Sequence, residues 1–317
     1  MKTLIILNPN AGSGRAGKLW SKIEPMLWEE LGELVVAVTQ HPDEVARHLE
    51  SARAANLTRV IAIGGDGTNH ALINELARIN RLYPDGPHMT FGSLPIGTGQ
   101  DWARTIGVPF TPAEAVRWIK DAHPVPLDLG LVTLSDGETL HFLNIASAGI
   151  SGVIATQVNQ LKRRRPWTFY VSTLEALISY KPPRVKVKLD GQDWYEGKTY
   201  AVVVANGQNF GHGMHIAPNA AYNDGLFDVV LFEGIPRLEA MVAFNSVYSG
   251  AHLKRSDVHV GRARMVEIDP EGGPMPVELD GESRAGPAVK FEVMPAALSV
   301  LIKDKIPTAS QQNMRHE

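Results

Sequence analysis

Along the first 125 residues, short runs that are apolar at nearly every position alternate with segments whose apolar positions recur every three to four residues. Residues 3–7, 34–39, 60–63 and 90–94 read as strands; residues 16–27, 43–54, 69–82 and stretches beginning near Asp101 and Thr111 read as helices. Continuously apolar strands separated by amphipathic helices predict a parallel sheet covered on both faces. Thr111-Pro112-Ala113-Glu114 joins capping-box spacing to a proline at the first helical position and marks the last helix of the series. After Pro124 the period changes. Val185, Val187 and Leu189 alternate with Lys186 and Lys188, and short strands follow at 200–204, 226–232, 265–268, 277–279 and 289–293, with helical patterns near 153–162, 169–179 and 238–248. The expected organisation is an α/β domain over 1–125, a β-rich antiparallel domain with a few helices over 126–305, and a polar tail over 306–317.

The strand ending Ile61-Ala62-Ile63 runs straight into Gly64-Gly65-Asp66-Gly67-Thr68-Asn69, and a helix carrying Leu72, Leu76 and Ile79 begins just after. Glycines let main-chain N–H groups approach a ligand closely, and a helix start adds the positive end of its dipole, so the turn suits a phosphate. Asp66 beside a phosphate calls for a cation between them, which favours a Mg²⁺-nucleotide. The same residues also suit a plain strand-to-helix turn in which Asp66 only caps the helix. A second turn of this kind, Pro95-Ile96-Gly97-Thr98-Gly99-Gln100-Asp101-Trp102-Ala103-Arg104, follows the next strand. Two such turns in successive strand–helix units are expected side by side at the carboxyl edge of one sheet.

These two motifs resemble those of the diacylglycerol kinase catalytic-domain family, the bacterial lipid kinases related to sphingosine kinases, with Gln100 and Trp102 where that pattern usually has Asn and Phe. The similarity extends along nearly the whole chain: Asn8-Pro9-Asn10-Ala11-Gly12 resembles the family's opening turn, Leu127-Asp128-Leu129-Gly130 its interdomain strand, the segment from Ala217 to Leu226 its structural-metal loop, and Glu278-Leu279-Asp280-Gly281-Glu282 the strand with its proposed base. The resemblance implies an NAD kinase-like α/β domain with a β-rich partner, and an ATP-dependent lipid kinase acting on diacylglycerol or a related lipid alcohol held between the domains. Gly64, Gly65, Gly67, Thr68, Asn69 and Thr98 are the implied nucleotide contacts, joined by Thr39. Asp66 is implied to hold the catalytic Mg²⁺, Glu282 to take the acceptor's proton, and Asp101, Arg104 and Asp128 to form a polar network at the domain junction. Asp224 with the carbonyls of Ala221 and Leu226 resembles a structural Mg²⁺ site; a plain Asn-Asp-Gly turn is the alternative.

Composition narrows the field. The chain of 317 residues contains no cysteine, which excludes disulfides and thiolate chemistry and fits a cytoplasmic location. A net charge of −3 argues against a general nucleic-acid binder. No apolar run approaches the length of a membrane span, so membrane contact is expected to be peripheral. Lys162-Arg163-Arg164-Arg165-Pro166-Trp167-Thr168-Phe169-Tyr170 packs four positive charges against three aromatics and suits an anionic bilayer surface, or equally a solvated helix end with its aromatics turned inward. A homodimer is compatible with everything above.

Three signals are decoys or open readings. Gly12-Ser13-Gly14-Arg15-Ala16-Gly17-Lys18 mimics a P-loop and a dinucleotide fingerprint, but Leu19 offers no hydroxyl for Mg²⁺ and the second strand ends without an acidic residue. Arg15 and Lys18 are implied by the resemblance to reach the phosphates. His212 interrupts a glycine loop and reads as a loop residue rather than a catalyst. The alternatives to a lipid kinase are an NAD kinase, whose family shares Gly-Gly-Asp-Gly-Thr, and a nucleotide- or lipid-binding protein without turnover.

Overall fold

A computed structural model of the chain describes residues 2–84, 88–161, 168–273, 275–284 and 288–303. The chain divides into two compact units, Met1–Leu127 with the chain from Ala296 onward, and Asp128–Pro295. In the first unit β1 (Thr3–Leu7), β2 (Leu34–Val38), β3 (Arg59–Gly64) and β4 (Thr90–Pro95) alternate with α1 (Ala11–Leu31), α2 (Glu44–Ala54), α3 (Asp66–Leu82), α4 (Asp101–Ile106) and α5 (Pro112–Asp121). The strands are parallel in the order β4-β3-β1-β2. Leu4, Ile5 and Ile6 of β1 and Val60, Ile61, Ala62 and Ile63 of β3 are almost wholly buried, which is why these strands lack polar alternation.

The second unit continues from β5 (His123–Leu134) through β6 (Thr139–Phe142), β7 (Ile145–Gly149), α6 (Ile150–Gln160), α7 (Thr168–Ser179), β8 (Arg184–Leu189) and β9 (Gln192–Ala205). After the short pair β10 (Asn209–Phe210) and β11 (Met214–His215) come β12 (Phe227–Glu233), α8 (Arg237–Phe244), β13 (Val258–Ala263), β14 (Met265–Glu271), β15 (Val277–Leu279), β16 (Glu282–Arg284) and β17 (Ala288–Ile302). Here the pairings are antiparallel, β16-β15-β7-β9-β8-β14-β17, with β12 joining β9 to β13. Its core is built around Phe142, whose ring stacks on Phe227 at 5.5 Å and meets Phe291 edge-on at 6.3 Å. Gly130 faces Phe142 on the next strand, where a Cβ would enter the ring.

The α/β unit followed by an antiparallel β-rich unit is the expected fold class. The unit boundaries differ at the end of the chain: residues 296–303, read from sequence as part of a second domain ending at 305, belong to the first. The cause is long-range pairing, since Ser299 and Val300 of β17 lie parallel to Thr90 and Phe91 of β4. The expected polar tail, 306–317, lies outside the described residues, as do Lys162 to Trp167 of the basic and aromatic run.

Candidate active site

The two glycine turns meet backbone to backbone. A Cβ on Gly97 would lie 2.6 Å from the Cα of Gly65, and one on Gly12 would lie 2.6 Å from the Ile96 carbonyl oxygen, so the opening turn, the β3–α3 turn and the β4–α4 turn close on one another only because these positions lack side chains. Gly12, Ser13 and Gly14 have positive φ and break α1 at its start. The segment that mimics a P-loop is therefore a left-handed loop packed on the β4–α4 turn, with Arg15 and Lys18 exposed beside it.

Helix α3 begins at Asp66 with Gly65 as its N-cap, and no side chain caps it. Its Thr68 and Asn69 N–H groups both donate to the Gly65 carbonyl, at 3.0 and 3.1 Å, and the positive end of its dipole favours an anion. Asp66 Oδ2 accepts the Gln100 N–H at 2.8 Å. Gln100 sits at φ 59° and its side chain donates to the Pro95 carbonyl at 3.1 Å, so the residue that departs from the family pattern braces the second turn. A Cβ on Gly99 would lie 2.6 Å from Asp66 Oδ2 and 3.7 Å from Asp101 Oδ2. Two carboxylates thus converge on Gly99, and its lack of a side chain is what lets Asp66 pack against it. Arg104 pairs with Asp101 at 3.6 Å, bonds the Gly99 carbonyl and lies over the Phe110 ring.

The other expected nucleotide contacts divide into two groups. Gly64, Gly65, Gly67 and Thr98 belong to the paired turns. Thr68, Asn69 and Thr39 are buried and engaged by protein: Thr68 Oγ1 accepts from Asn8 at 3.2 Å, Asn69 Oδ1 accepts from Ser93 at 3.0 Å, and Thr39 N–H donates to the Leu7 carbonyl at 2.9 Å. The Thr68 and Asn69 side chains tie the start of α3 to the end of β1 and to β4.

In the second unit Asp128 is buried, and its carboxylate accepts the Gly225 N–H at 2.7 Å while its own N–H donates to the Tyr222 carbonyl at 2.9 Å. It ties down the loop that carries Ala221, Asp224 and Leu226. Asp224 accepts the Leu226 N–H at 3.1 Å through one oxygen and bonds Arg262 through the other. Arg262 also reaches the buried Asp228, directly opposite it in the β12–β13 register, at 3.4 Å. Burial pushes the Asp228 carboxyl upward and Arg262 opposes that shift. The loop implied as a structural Mg²⁺ site already holds a guanidinium against its carboxylate, so a divalent ion would have to share Asp224 with Arg262. Among the described residues no three His, Cys, Asp or Glu side chains form a metal-binding group.

Glu282 opens β16 opposite Leu279, half-buried. Asp280 is structural: it accepts N–H groups from Leu143, Asn144 and Ile145 at 2.8 to 3.1 Å. Sequence reasoning missed Glu278, which is 1 % exposed, bonds the Gly281 N–H and lies opposite Ser147 of β7. Its signal was a charged residue at an inward position of a short strand. His212, at φ 66°, packs by the Phe169 ring at 5.7 Å, as a loop residue.

The second unit also holds an apolar cavity of about 120 Å³, walled by α6, α7, α8 and the β9–β12 sheet. Ile154, Phe169, Leu177, Phe210, Met214 and Phe244 are among its lining residues, and Ser151 donates to Ser147 at 2.6 Å within it.

Residues 2–132 match the model of the diacylglycerol kinase catalytic domain, and residues 144–302 match that of the YegS C-terminal NAD kinase beta sandwich-like domain. A protein of Klebsiella pneumoniae named "probable lipid kinase YegS-like" is 30 % identical over 93 % of this chain and 94 % of its own length. A diacylglycerol kinase of Mycobacterium tuberculosis is 28 % identical over 95 % of this chain and 94 % of its own. A crystal structure from Bacillus anthracis, provisionally assigned as a diacylglycerol kinase, superposes with a TM-score of 0.75 at 27 % identity, over 95 % of this chain and 96 % of that one. The chain is a kinase of the YegS-like diacylglycerol kinase family.

Proposed function

We propose that this kinase transfers the γ-phosphate of ATP to the hydroxyl of a lipid alcohol, with diacylglycerol as the first acceptor to test. Phosphoryl transfer needs a phosphate cradle, charge neutralisation and a base near the acceptor's proton. The paired turns at Gly64–Asn69 and Gly97–Asp101 are the cradle. The donor set beside Gly99 fits a Mg²⁺-nucleotide: two carboxylates, Asp66 and Asp101, lie against this residue, and Mg²⁺ is commonly held by one or two carboxylates plus phosphate and water. When bound there, Mg²⁺ would neutralise the charge developing on the phosphates. Gln100 fixes the orientation of Asp66, Arg104 that of Asp101, and Glu282 accepts the proton of the attacking hydroxyl.

The observation that carries a lipid acceptor is the apolar cavity of the second unit, whose walls are aromatic and aliphatic and whose polar groups include the Ser147 and Ser151 hydroxyls. An acyl chain suits it; the dinucleotide that an NAD kinase would take does not. Thin-layer separation of products from radiolabelled ATP, offered with a panel of lipid alcohols and with NAD, tests the proposal. Label in a lipid is the expected result, and label in NAD alone, or in neither, would overturn it.

A further inference from the structure

Helices α7 and α8 are apolar on two sides. Phe169, Thr173 and Leu177 of α7 and Ala240, Ala243 and Phe244 of α8 face the cavity. On α7 a second stripe of Tyr170, Leu174 and Ile178 recurs every four residues away from it, with Tyr170 and Ile178 exposed and Val171 exposed beside them. On α8 Leu238 and Val242, also four apart, are 77 % and 75 % exposed. The two helices touch through Tyr170 and Phe244, rings 5.6 Å apart, and Tyr248 extends the patch just past α8. A surface helix of a protein surrounded by water buries one apolar stripe and shows a polar one. These show a second apolar stripe instead, and their charges are few: Glu175 on α7, and on α8 Arg237 and a Glu239 that is paired with Arg255 at 3.3 Å.

We infer that the outer face of α7 and α8 docks on the surface of a phospholipid bilayer, with Leu238 and Val242 entering the acyl boundary and Tyr170 and Tyr248 lying at headgroup level. This rests on the proposed lipid acceptor and deepens it. A bilayer is favoured over a protein partner because the two helices that carry the patch also wall the apolar cavity proposed for the acceptor. Exposed tyrosines beside exposed aliphatic residues match the chemistry of a membrane interface. Among the described residues no helix is long and apolar enough to cross a membrane, so the contact is superficial.

The test uses the full chain and vesicles of phosphatidylcholine mixed with phosphatidylglycerol. Wild type is expected to co-sediment. Leu238→Ser/Val242→Ser, which alters exposed positions outside the cavity lining, should keep the wild-type melting temperature and weaken partitioning about tenfold or more, the worth of withdrawing two aliphatic side chains from an apolar phase. With diacylglycerol embedded in the vesicles the double variant should lose activity in the same proportion, and with a short-chain acceptor in free solution it should match wild type. Unchanged sedimentation of the folded double variant would overturn the docking face while leaving the kinase reading intact. A wild type that sediments yet phosphorylates no lipid would overturn the acceptor and leave the docking face standing. A self-associated wild type that the double variant renders monomeric, with no vesicle binding by either, would assign the face to a second copy and overturn the membrane.

Discussion

Two hairpins of the second unit share one sequence and one geometry and differ only at their flanks. Lys188-Leu189-Asp190-Gly191-Gln192 and Glu278-Leu279-Asp280-Gly281-Glu282 each turn through Asp-Gly with both residues at positive φ, 49° and 79° in the first, 51° and 90° in the second. That is the two-residue type I′ hairpin that Asp-Gly favours. In each, the aspartate N–H donates to a carbonyl of a neighbouring segment, Met265 at 2.9 Å or Ile145 at 3.0 Å, and its carboxylate accepts consecutive N–H groups there. Asp190 takes two, from Arg264 and Met265, and Asp280 takes three. The shared aspartate is therefore a clamp between segments. The differences are Lys188 against Glu278, exposed against 1 % exposed, and Gln192 against Glu282. On the proposed reading the chemistry belongs to the flanks, because the aspartate has the same clamping role in both hairpins.

A third Asp-Gly step sharpens this contrast and should give the largest effect. Asp66 starts a helix instead of closing a hairpin, and its carboxylate packs against Gly99. Asp66→Asn is expected to reduce turnover by more than about 10³-fold, since charge stabilisation in phosphoryl transfer is worth that much, with the melting temperature unchanged. Near wild-type turnover of the folded variant would remove Asp66 from the chemistry.

Exchanging the hairpin flanks comes next. Glu278→Lys puts a cation into a closed site and should cost more than about 3 kcal/mol in urea denaturation, whereas Lys188→Glu should stay within about 0.5 kcal/mol. Equal losses would contradict the buried placement of Glu278. Removing the clamps should cost about 3 kcal/mol for Asp280→Ala, whose three N–H partners are partly buried, and less than about 1 kcal/mol for Asp190→Ala, whose two N–H partners are exposed to water. The reverse order would break the comparison.

The smallest expected effect lies outside the hairpins. His252 is 1 % exposed, stacks on Phe232 and bonds the Ile216 carbonyl at 2.9 Å; burial holds its ring below the usual value of 6.5. The unfolded chain then takes up the proton first, so stability is complete above about pH 6.5 and declines as pH falls below it. His252→Phe should flatten that decline in melting temperature between pH 7 and 5.5, and an unchanged slope would show that another group sets it.

Much of this molecule was legible in its sequence, for local reasons. Both glycine turns, the alternation of the first unit and the antiparallel β8 follow from periodicity and turn chemistry. What escaped depends on distant partners. Ile145-Ala146-Ser147-Ala148-Gly149 has too little side chain to show a period, yet β7 is held between β9 and β15. The long β17 looked finished near Val293 because Pro295 interrupts it, and Ala296 takes a positive φ before the strand resumes beside β4. The inward direction of Thr68 and Asn69 was equally hidden, since it is set by Asn8, just past β1, and Ser93 of β4. At the proposed base the outline was visible as Asp-Gly-Glu, but the buried Glu278 two residues before the aspartate was not.

The central claim is that Glu282 takes the proton of the lipid hydroxyl while its counterpart Gln192 does nothing chemical. It is tested most directly by steady-state kinetics of Glu282→Gln beside Gln192→Ala, on folded protein with the lipid that accepts label. The account predicts a fall in kcat of about 10²- to 10⁴-fold for Glu282→Gln with little change in KM for ATP, and no measurable change for Gln192→Ala. Equal and small effects from the two substitutions would contradict it.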